Sequence, residues 1–274
     1  MNSKYVFLDV DGTLVNFKGE IPPSAITAMR KAQQNGHKMI LATGRQKSQI
    51  YKFLTDAICF DGMLASSAAY VEYGGRTVFE SHPTKEKLAL LVDFFHENKI
   101  PFFLQSTNML YAERDSYDTI YAHMKAAGNG EALLESIFGN TTIVEDPKLL
   151  ENVEKVAYYE SPYDIGAMQA ILGNYFYVIS YSFSLDQRLF HGEITFDGVN
   201  KAMGIGILMD AIGARVEDSI AVGDSGNDLE MIKAAGIGVA MGNSSPDVKA
   251  AADLVTTHID EDGLYNAFSR LGLI

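Results

Sequence analysis

The sequence predicts an α/β fold in which a parallel-sheet domain is interrupted by an inserted α+β domain. Three observations predict this fold: short apolar runs that end in polar turns, helical patterns between those runs, and a change of pattern in the middle of the chain. The chain has 274 residues, enough for one large or two medium domains. Its content of 47% hydrophobic and 21% charged residues is typical of a globular protein.

The first apolar run, residues 5–8, ends in two carboxylates, Asp9 and Asp11, followed by the turn residues Gly12 and Thr13. Such a run is typical of a buried strand, and ligands of open α/β sheets bind just beyond the carboxyl ends of the strands. Alternation along the strand places both aspartates on one side of the chain. Because adjacent carboxylates repel each other, we expect a bound cation, and oxygen ligands suit Mg²⁺.

We also expect free backbone N–H groups at Gly12 and Thr13, which would bind an anion. A carboxylate, a hard cation and an amide nest together indicate phosphoryl transfer through an aspartyl-phosphate. The alternative for this motif alone is a solvated Asp-Gly turn after a strand.

The next segments repeat strand and helix. A β-α-β connection makes its two strands parallel, so we expect Thr43, at the end of the second strand, to lie near Asp9. The predicted elements of this part are a helix from Pro22 to about residue 34, a strand at 38–42, a helix at 46–55, a strand at 62–65 and a hairpin around Gly74-Gly75.

From about residue 84 the pattern changes to that of an α+β sheet with helices on one side. We predict that residues 83–190 form an inserted domain and that residues 1–82 and 191–274 form the core. The predicted helices of the insert cover 88–95, 117–127 and 162–172, and its predicted strands cover 102–105, 109–112, 153–159, 175–182 and 188–195.

The last third restores the first pattern and completes a Rossmann-like parallel sheet core. The predicted elements are helices at 201–212, 229–235 and 246–252 and strands at 219–222, 238–243 and 254–257. The loop that contains Asp224, Asn227 and Asp228 follows a buried strand, so its acids should lie at the same sheet edge as Asp9 and fit one octahedral cation. A solvated, helix-capping turn is the alternative. Lys201 begins a helix, where a cation needs an anionic partner.

Composition excludes several classes of protein. The formal charge of −13 and the absence of a basic cluster argue against a nucleic-acid partner. The single cysteine, Cys59, permits no intramolecular disulfide. With no leader pattern and no apolar stretch of membrane-spanning length, we expect a cytoplasmic protein that does not insert into a membrane. The six histidines lack metal-ligand spacing.

Four ordered motifs carry a resemblance to a known family: residues 9–13, residues 43–45, Lys201 and residues 223–228. In this order they resemble the haloacid dehalogenase-like phosphatase superfamily, and in particular its Cof-type hydrolases, which carry an inserted α+β cap of the C2B type. The resemblance covers the whole chain. It implies a Mg²⁺-dependent phosphatase that acts on a small phosphorylated metabolite.

The resemblance also implies a role for each motif residue. Asp9 is the nucleophile and Asp11 the acid/base. The expected Mg²⁺ ligands are Asp9, the main-chain carbonyl of Asp11, Asp224 and, in support, Asp228. The expected phosphate-binding residues are Gly12, Thr43, Gly44, Lys201 and Asn227.

One segment departs from the family pattern, because Ser67-Ala68 stands where many Cof-type sequences have Asn-Gly. Two alternatives to a phosphatase stay open at this point. One is a phosphosugar mutase of the same superfamily, and the other is a non-catalytic sensor of a phosphorylated ligand. The sequence does not predict the natural substrate or the oligomeric state.

Overall fold

The computed structural model describes residues 3–128, 130–180 and 189–274. The chain forms two compact units. Unit 1 combines residues 1–80 and 200–274, and unit 2 is formed by residues 81–199. In the described part of the chain, no helix is long and apolar enough to cross a membrane.

Unit 1 is built on an eight-stranded sheet in the order β14-β13-β12-β1-β2-β3-β4-β5. The first six strands of this order are parallel, and β4 and β5 add an antiparallel hairpin. The predicted α/β class with a parallel-sheet core is confirmed. The strands are β1 (Tyr5–Leu8), β2 (Lys38–Ala42), β3 (Gly62–Ala65), β4 (Tyr70–Tyr73), β5 (Arg76–Glu80), β12 (Ser219–Gly223), β13 (Ile237–Ala240) and β14 (Leu254–Val255).

Helices cover both faces of this sheet. Alternation sends Val6 and Leu8 of β1 to one face, where they share a core with α1 and α10, and sends Phe7 to the other. Helix α7 packs on the other face, where Gly204 allows close contact with Leu64. The helices of unit 1 are α1 (Pro23–Gln34), α2 (Lys52–Ala57), α7 (Lys201–Ala211), α8 (Leu229–Ala234), α9 (Pro246–Ala251) and α10 (Gly263–Arg270).

The helices of unit 1 differ from the sequence prediction in two places. The helix predicted at 46–55 is replaced by a 3₁₀ turn, Lys47–Gln49, and the short helix α2. The chain is extended at Ile50 because Ile50 and Tyr51 turn inward and pack against the core. The C-terminal helix α10 was not predicted, although Leu264, Ala267 and Phe268 have helical spacing and are buried.

Unit 2 contains a six-stranded sheet in the order β10-β11-β9-β6-β7-β8. Its strands are β6 (Phe102–Gln105), β7 (Leu110–Ala112), β8 (Thr141–Ile143), β9 (Lys155–Ser161), β10 (Phe176–Ser180) and β11 (Phe190–Phe196). Its helices are α3 (Lys85–Asn98), α4 (Arg114–Ala126), α5 (Glu131–Phe138) and α6 (Ile165–Leu172). Residues 181–188, which include the end of one predicted strand and the start of the next, lie outside the described residues.

The predicted arrangement of helices on one side of the unit 2 sheet is wrong. Phe102 and Leu104 of β6 share a core with α3 and α6, whereas Phe103, which points the opposite way, shares a core with α4 and α5. Helix α5 and strand β8 were not predicted. Strand β8 adds an edge strand to the sheet, and α5 adds a helix to one of its faces.

The predicted second boundary of the insert, residue 190, falls on the first residue of β11. That strand pairs with β9 and β10, so unit 2 continues to Val199.

Candidate active site

The candidate active site lies at the carboxyl edge of the unit 1 sheet. β2, β1 and β12 are neighbours in this sheet and run parallel. Each is followed directly by a polar residue of the sequence motifs: Thr43 after β2, Asp9 after β1 and Asp224 after β12. Because the carboxyl ends of parallel strands share one edge, residues far apart in the chain start from neighbouring positions.

A buried cluster of charges stands at the centre of this edge. The Lys201 Nζ lies 2.7 Å from Oδ1 of Asp9 and 2.6 Å from Oδ1 of Asp228. All three side chains are buried, with residue exposures of 2% for Lys201, 5% for Asp9 and 0% for Asp228. Lys201 is the first residue of α7, and the two carboxylates provide the anionic partners that a lysine at a helix N-terminus needs.

Asp228 holds the loop after β12 as well as Lys201. Its Oδ2 accepts hydrogen bonds from the backbone N–H groups of Asp224, at 3.0 Å, and Ser225, at 3.1 Å. With Oδ1 on Lys201, both carboxylate oxygens have partners. The loop does cap the turn that follows it, but the capping residue Asp228 is buried and not solvated as the alternative expected.

Asp224 lies directly against the turn at Gly12. A Cβ atom added to Gly12 would lie 2.2 Å from Oδ2 of Asp224, and the backbone of Gly12 has a φ of +90°. Both facts require glycine at this position. The Asp224 oxygens accept hydrogen bonds from two neutral groups, Oγ1 of Thr13 at 3.3 Å and Nδ2 of Asn243 at 3.3 Å.

Burial changes the proton affinities of these groups. It is the main cause that raises the pKa of Asp9, to which the negative charge of Asp228 adds. Burial, again with the charge of Asp228, raises the pKa of Asp224 to about 7. Burial alone would lower the pKa of Lys201, but the charges of Asp228 and Asp9 offset this and raise it above its usual value.

The donor atoms and charges of the cluster fit a divalent cation. One carboxylate oxygen from each of Asp9, Asp224 and Asp228 lies within 4.8 Å of the others. Within this cluster Lys201 supplies one positive charge against three carboxylates, which leaves an excess of negative charge in a mostly buried place. Oxygen ligands and excess negative charge are the conditions that Mg²⁺ binding requires.

The side chain of Asp11 contacts a different group. Its Oδ2 lies 2.7 Å from Nε of Arg45 and its Oδ1 lies 2.9 Å from Nη2, which is a bidentate ion pair. The hydroxyl group of Tyr51 lies 3.3 Å from the same Oδ1 and also contacts the guanidinium of Arg45. The Arg45 guanidinium carbon stands 4.1 Å from the centre of the Tyr51 ring.

The remaining motif residues lie in the loops that follow β1, β2 and β12. Oγ1 of Thr43, a buried residue, accepts a hydrogen bond from the backbone N–H of Arg45. Oδ1 of Asn227 accepts one from the Ser225 hydroxyl group. The backbone N–H of Gly12 donates to the carbonyl of Val15 at 2.8 Å, so the expectation of a free N–H group is wrong for Gly12. Gly44 lies next to Thr43 in the loop after β2.

The segment that departs from the family pattern has an unusual backbone. Ser66, Ser67 and Ala68 have φ values of +50°, +56° and +75°, which L-residues rarely adopt. The Ser67 N–H donates to the carbonyl of Thr43 at 3.0 Å, which joins this turn to the second motif. All three residues are buried, and the Ser67 hydroxyl group has no hydrogen-bond partner among the described residues.

Three residues of the site were not assigned a role by the sequence reasoning: Arg45, Tyr51 and Asn243. Arg45 is the last residue of the second motif, and Asn243 follows β13, which ends at the same sheet edge. Its position at the carboxyl end of a parallel strand could therefore have identified Asn243 as a residue of the site. Tyr51 gave no such signal, because its role depends on the extended turn that replaces the predicted helix.

Comparisons with known proteins identify the family of the chain. A model of the haloacid dehalogenase-like hydrolase family matches residues 6–268. The chain is 27% identical over 267 residues to the pyridoxal phosphate phosphatase YbhA of Escherichia coli (strain K12), with 93% of each chain covered. It is 28% identical over 274 residues to the 5-amino-6-(5-phospho-D-ribitylamino)uracil phosphatase YitU of Bacillus subtilis (strain 168), with 94% of each covered.

A solved structure is similar over the same length. It is that of the HAD subclass IIB sugar phosphatase BT4131, with a TM-score of 0.80, 27% sequence identity, and 99% of this chain and 100% of that chain covered. The fold, the family model and the names of the relatives support one assignment. The chain belongs to the haloacid dehalogenase-like hydrolase family, as the order of its motifs predicts, and it is a phosphatase.

Proposed function

We propose that this phosphatase hydrolyses a small phosphorylated metabolite, a sugar phosphate or an ester of similar size, through an aspartyl-phosphate on Asp9. The observation that carries the proposal is the buried arrangement in which Lys201 lies between Asp9 and Asp228, with Asp224 beside them. The two relatives are named for different small phosphate esters, which supports a small ester as the substrate class.

In the first step, a carboxylate oxygen of Asp9 attacks phosphorus while the bond from phosphorus to the ester oxygen breaks. Lys201 holds Oδ1 of Asp9, so we assign the attack to Oδ2. Asp11, once released from its ion pair with Arg45, gives a proton to the departing oxygen, which leaves as an alcohol. Lys201 orients the nucleophile and, with Thr43, Gly44 and Asn227, stabilises the negative charge on the transferring phosphoryl oxygens.

In the second step, Asp11 takes a proton from water as the water oxygen attacks phosphorus. The bond from phosphorus to the Asp9 oxygen breaks, and inorganic phosphate leaves. Splitting the hydrolysis in this way replaces one difficult displacement by two easier ones. Asp9 returns to the carboxylate form, which is held by Lys201 as before.

We propose that Asp9, the main-chain carbonyl of Asp11 and Asp224 hold Mg²⁺. When bound, the cation neutralises charge on the phosphoryl oxygens and on the carboxylates around them. Asp228, whose two oxygens are used by Lys201 and by the loop at 224–225, supports the ligands more than it adds one. We assign unit 1 as the catalytic unit and unit 2 as the cap that selects the leaving group.

The test of this function is hydrolysis of para-nitrophenyl phosphate and of a panel of phosphorylated metabolites by the purified protein. We expect release of phosphate with Mg²⁺ and a loss of at least about 100-fold when the metal is removed with EDTA. Restored activity on adding back Mg²⁺ is the control. A protein that converts one phosphosugar isomer into another without releasing phosphate would contradict the proposal and indicate a mutase.

The raised pKa of Asp224 predicts that Mg²⁺ stabilises the protein more at high pH. Without metal, the folded protein holds the Asp224 proton up to about pH 7, whereas the unfolded chain loses it near the usual value of 3.8. The stability of the metal-free protein should therefore fall as pH rises between these values. Mg²⁺ competes with that proton, so its apparent affinity should be lower at pH 5.5 than at pH 8.

The measurement is the shift in Tm that Mg²⁺ causes at pH 5.5 and at pH 8, with Asp224→Asn as the matched variant. The variant lacks the titrating carboxylate and should show a small shift at both pH values. An equal or larger Mg²⁺ shift at pH 5.5 in the wild-type protein would show that protons and metal do not compete for this group.

A further inference from the structure

We propose that Asn243 is a positioning residue that sets the place of the Asp224 carboxylate and thereby the affinity of the site for Mg²⁺. The inference rests on the proposed function, because it concerns the cation site assigned there. Asn243 lies in the loop after β13, the strand that pairs with β12. It stands at the same sheet edge as Asp224 but belongs to none of the four sequence motifs.

The Asn243 side chain joins three separate segments of unit 1. Its Oδ1 accepts a hydrogen bond from the backbone N–H of Ile259 at 3.1 Å. Its Nδ2 donates to the carbonyl of Gly12 at 2.8 Å and to Oδ2 of Asp224 at 3.3 Å. The N–H of Ile259 can only donate, and the carbonyl of Gly12 can only accept. The orientation of the amide therefore follows from its partners.

The chemistry of an amide suits this place. Thr13 and Asn243 donate to the two different oxygens of Asp224, so neutral groups fix the plane of the carboxylate. Lys201, the cation of the cluster, instead pairs with Asp9 and Asp228. A neutral donor orients the carboxylate without cancelling its charge, which stays available for a metal ion. Groups that orient metal ligands in this way typically contribute 10- to 100-fold to metal affinity.

The contact with Gly12 gives Asn243 a second effect on the same site. The carbonyl of Gly12 lies in the segment that carries Asp9 and Asp11, and the Asp224 carboxylate packs against the Cα of Gly12. One amide nitrogen thus binds both the nucleophile segment and the carboxylate after β12. Its removal should let these two segments separate, which would lengthen the distance that one cation has to span.

Asn16 provides a matched control within the same region. Its Nδ2 donates to Oδ1 of Asp260 at 2.8 Å, and its Oδ1 accepts from the backbone N–H groups of Lys18 and Glu20 at 3.0 Å each. Like Asn243, it connects the segment after β1 to the loop at 258–260. Unlike Asn243, its hydrogen bonds do not include Asp224.

The experiment compares Asn243→Ala, Asn243→Ser and Asn16→Ala with the full-length wild-type protein. The dissociation constant for Mg²⁺ is measured by calorimetry and by thermal shift on metal-free protein. The kinetics of para-nitrophenyl phosphate hydrolysis are then measured as a function of Mg²⁺. For Asn243→Ala we expect an affinity for Mg²⁺ at least about 10-fold weaker, and a kcat that recovers most of its loss at high Mg²⁺.

Asn243→Ser keeps a short hydrogen-bond donor and replaces the alanine variant if that variant fails to fold. We expect its affinity for Mg²⁺ to be weaker than that of the wild type as well. Asn16→Ala should lose stability while its Mg²⁺ affinity stays within about 2-fold of the wild type. An unchanged Mg²⁺ affinity in a folded Asn243 variant would overturn this inference but not the proposed function. An equal loss of Mg²⁺ affinity in Asn16→Ala would do the same. A wild-type protein that binds no Mg²⁺ would overturn both the inference and the proposed metal site.

Discussion

Asp9→Asn is expected to abolish turnover while leaving the fold intact. An amide cannot attack phosphorus to form the acyl phosphate, so hydrolysis of para-nitrophenyl phosphate should fall by about 10⁴-fold or more. The fold should tolerate the change, because the amide oxygen can still accept a hydrogen bond from Lys201. Lys201 also keeps Asp228 as a charged partner. Burial raises the pKa of Asp9, which means that removing its charge also removes a cost of folding.

The matched control for this substitution is Asp61→Asn. Asp61 also pairs with a lysine, Lys38, at 3.0 Å, but it precedes β3 and thus lies at the opposite edge of the same sheet. It should keep full activity. The comparison requires kcat, KM and Tm for both variants, with detection of phosphorylated protein in rapidly quenched samples. Turnover by Asp9→Asn near the wild-type rate would show that Asp9 is not the nucleophile.

Lys201→Met should have the largest effect on stability. It removes the ammonium group between two buried carboxylates, and breaking a buried ion pair in this way typically costs about 3–5 kcal/mol. Activity should be lost as well, because nothing then orients Asp9 or offsets the charge of the phosphoryl group. Methionine has a similar length, so the loss reflects the missing charge more than a cavity.

The loss of stability in Lys201→Met should depend on pH. In the wild-type protein, the raised pKa of Lys201 means that its contribution is constant through neutral pH and is lost only at strongly alkaline pH. In the variant, the Asp9 carboxylate, whose pKa is already raised by burial, loses its cation and should take up a proton on folding. The free energy of unfolding that Lys201→Met loses relative to the wild type should therefore be smaller at pH 5 than at pH 8.

Chemical denaturation at pH 5 and pH 8 measures this effect. Lys38→Met is the control, since the partly exposed pair of Lys38 with Asp61 should contribute about 1 kcal/mol or less. If Lys201→Met were as stable as the wild type at pH 8, the two carboxylates would not depend on Lys201, and the charge cluster would need another explanation.

The parallel strands that carry the site were predicted closely from the sequence. The predicted strand at 38–42 is observed at Lys38–Ala42, and the predicted strand at 62–65 at Gly62–Ala65. Both end where an apolar run meets a hydroxyl residue, which is a local signal. The two-sided packing of the unit 2 sheet was not predictable in this way. A helix with one apolar side shows that it packs on a sheet but does not show on which face.

The sequence by itself determined which residue types stand at the ends of parallel strands, because strand ends and turns depend on neighbouring residues. The hydrogen-bonded partners of those residues depend on the folded chain. Lys201 and Asp9 are separated by 192 positions, and only packing of α7 on the sheet brings Nζ between Asp9 and Asp228. Packing likewise directs Asp11 toward Arg45 and places Asn243 on Asp224. Such contacts arise from side-chain directions and distant backbone groups, which a linear pattern does not record.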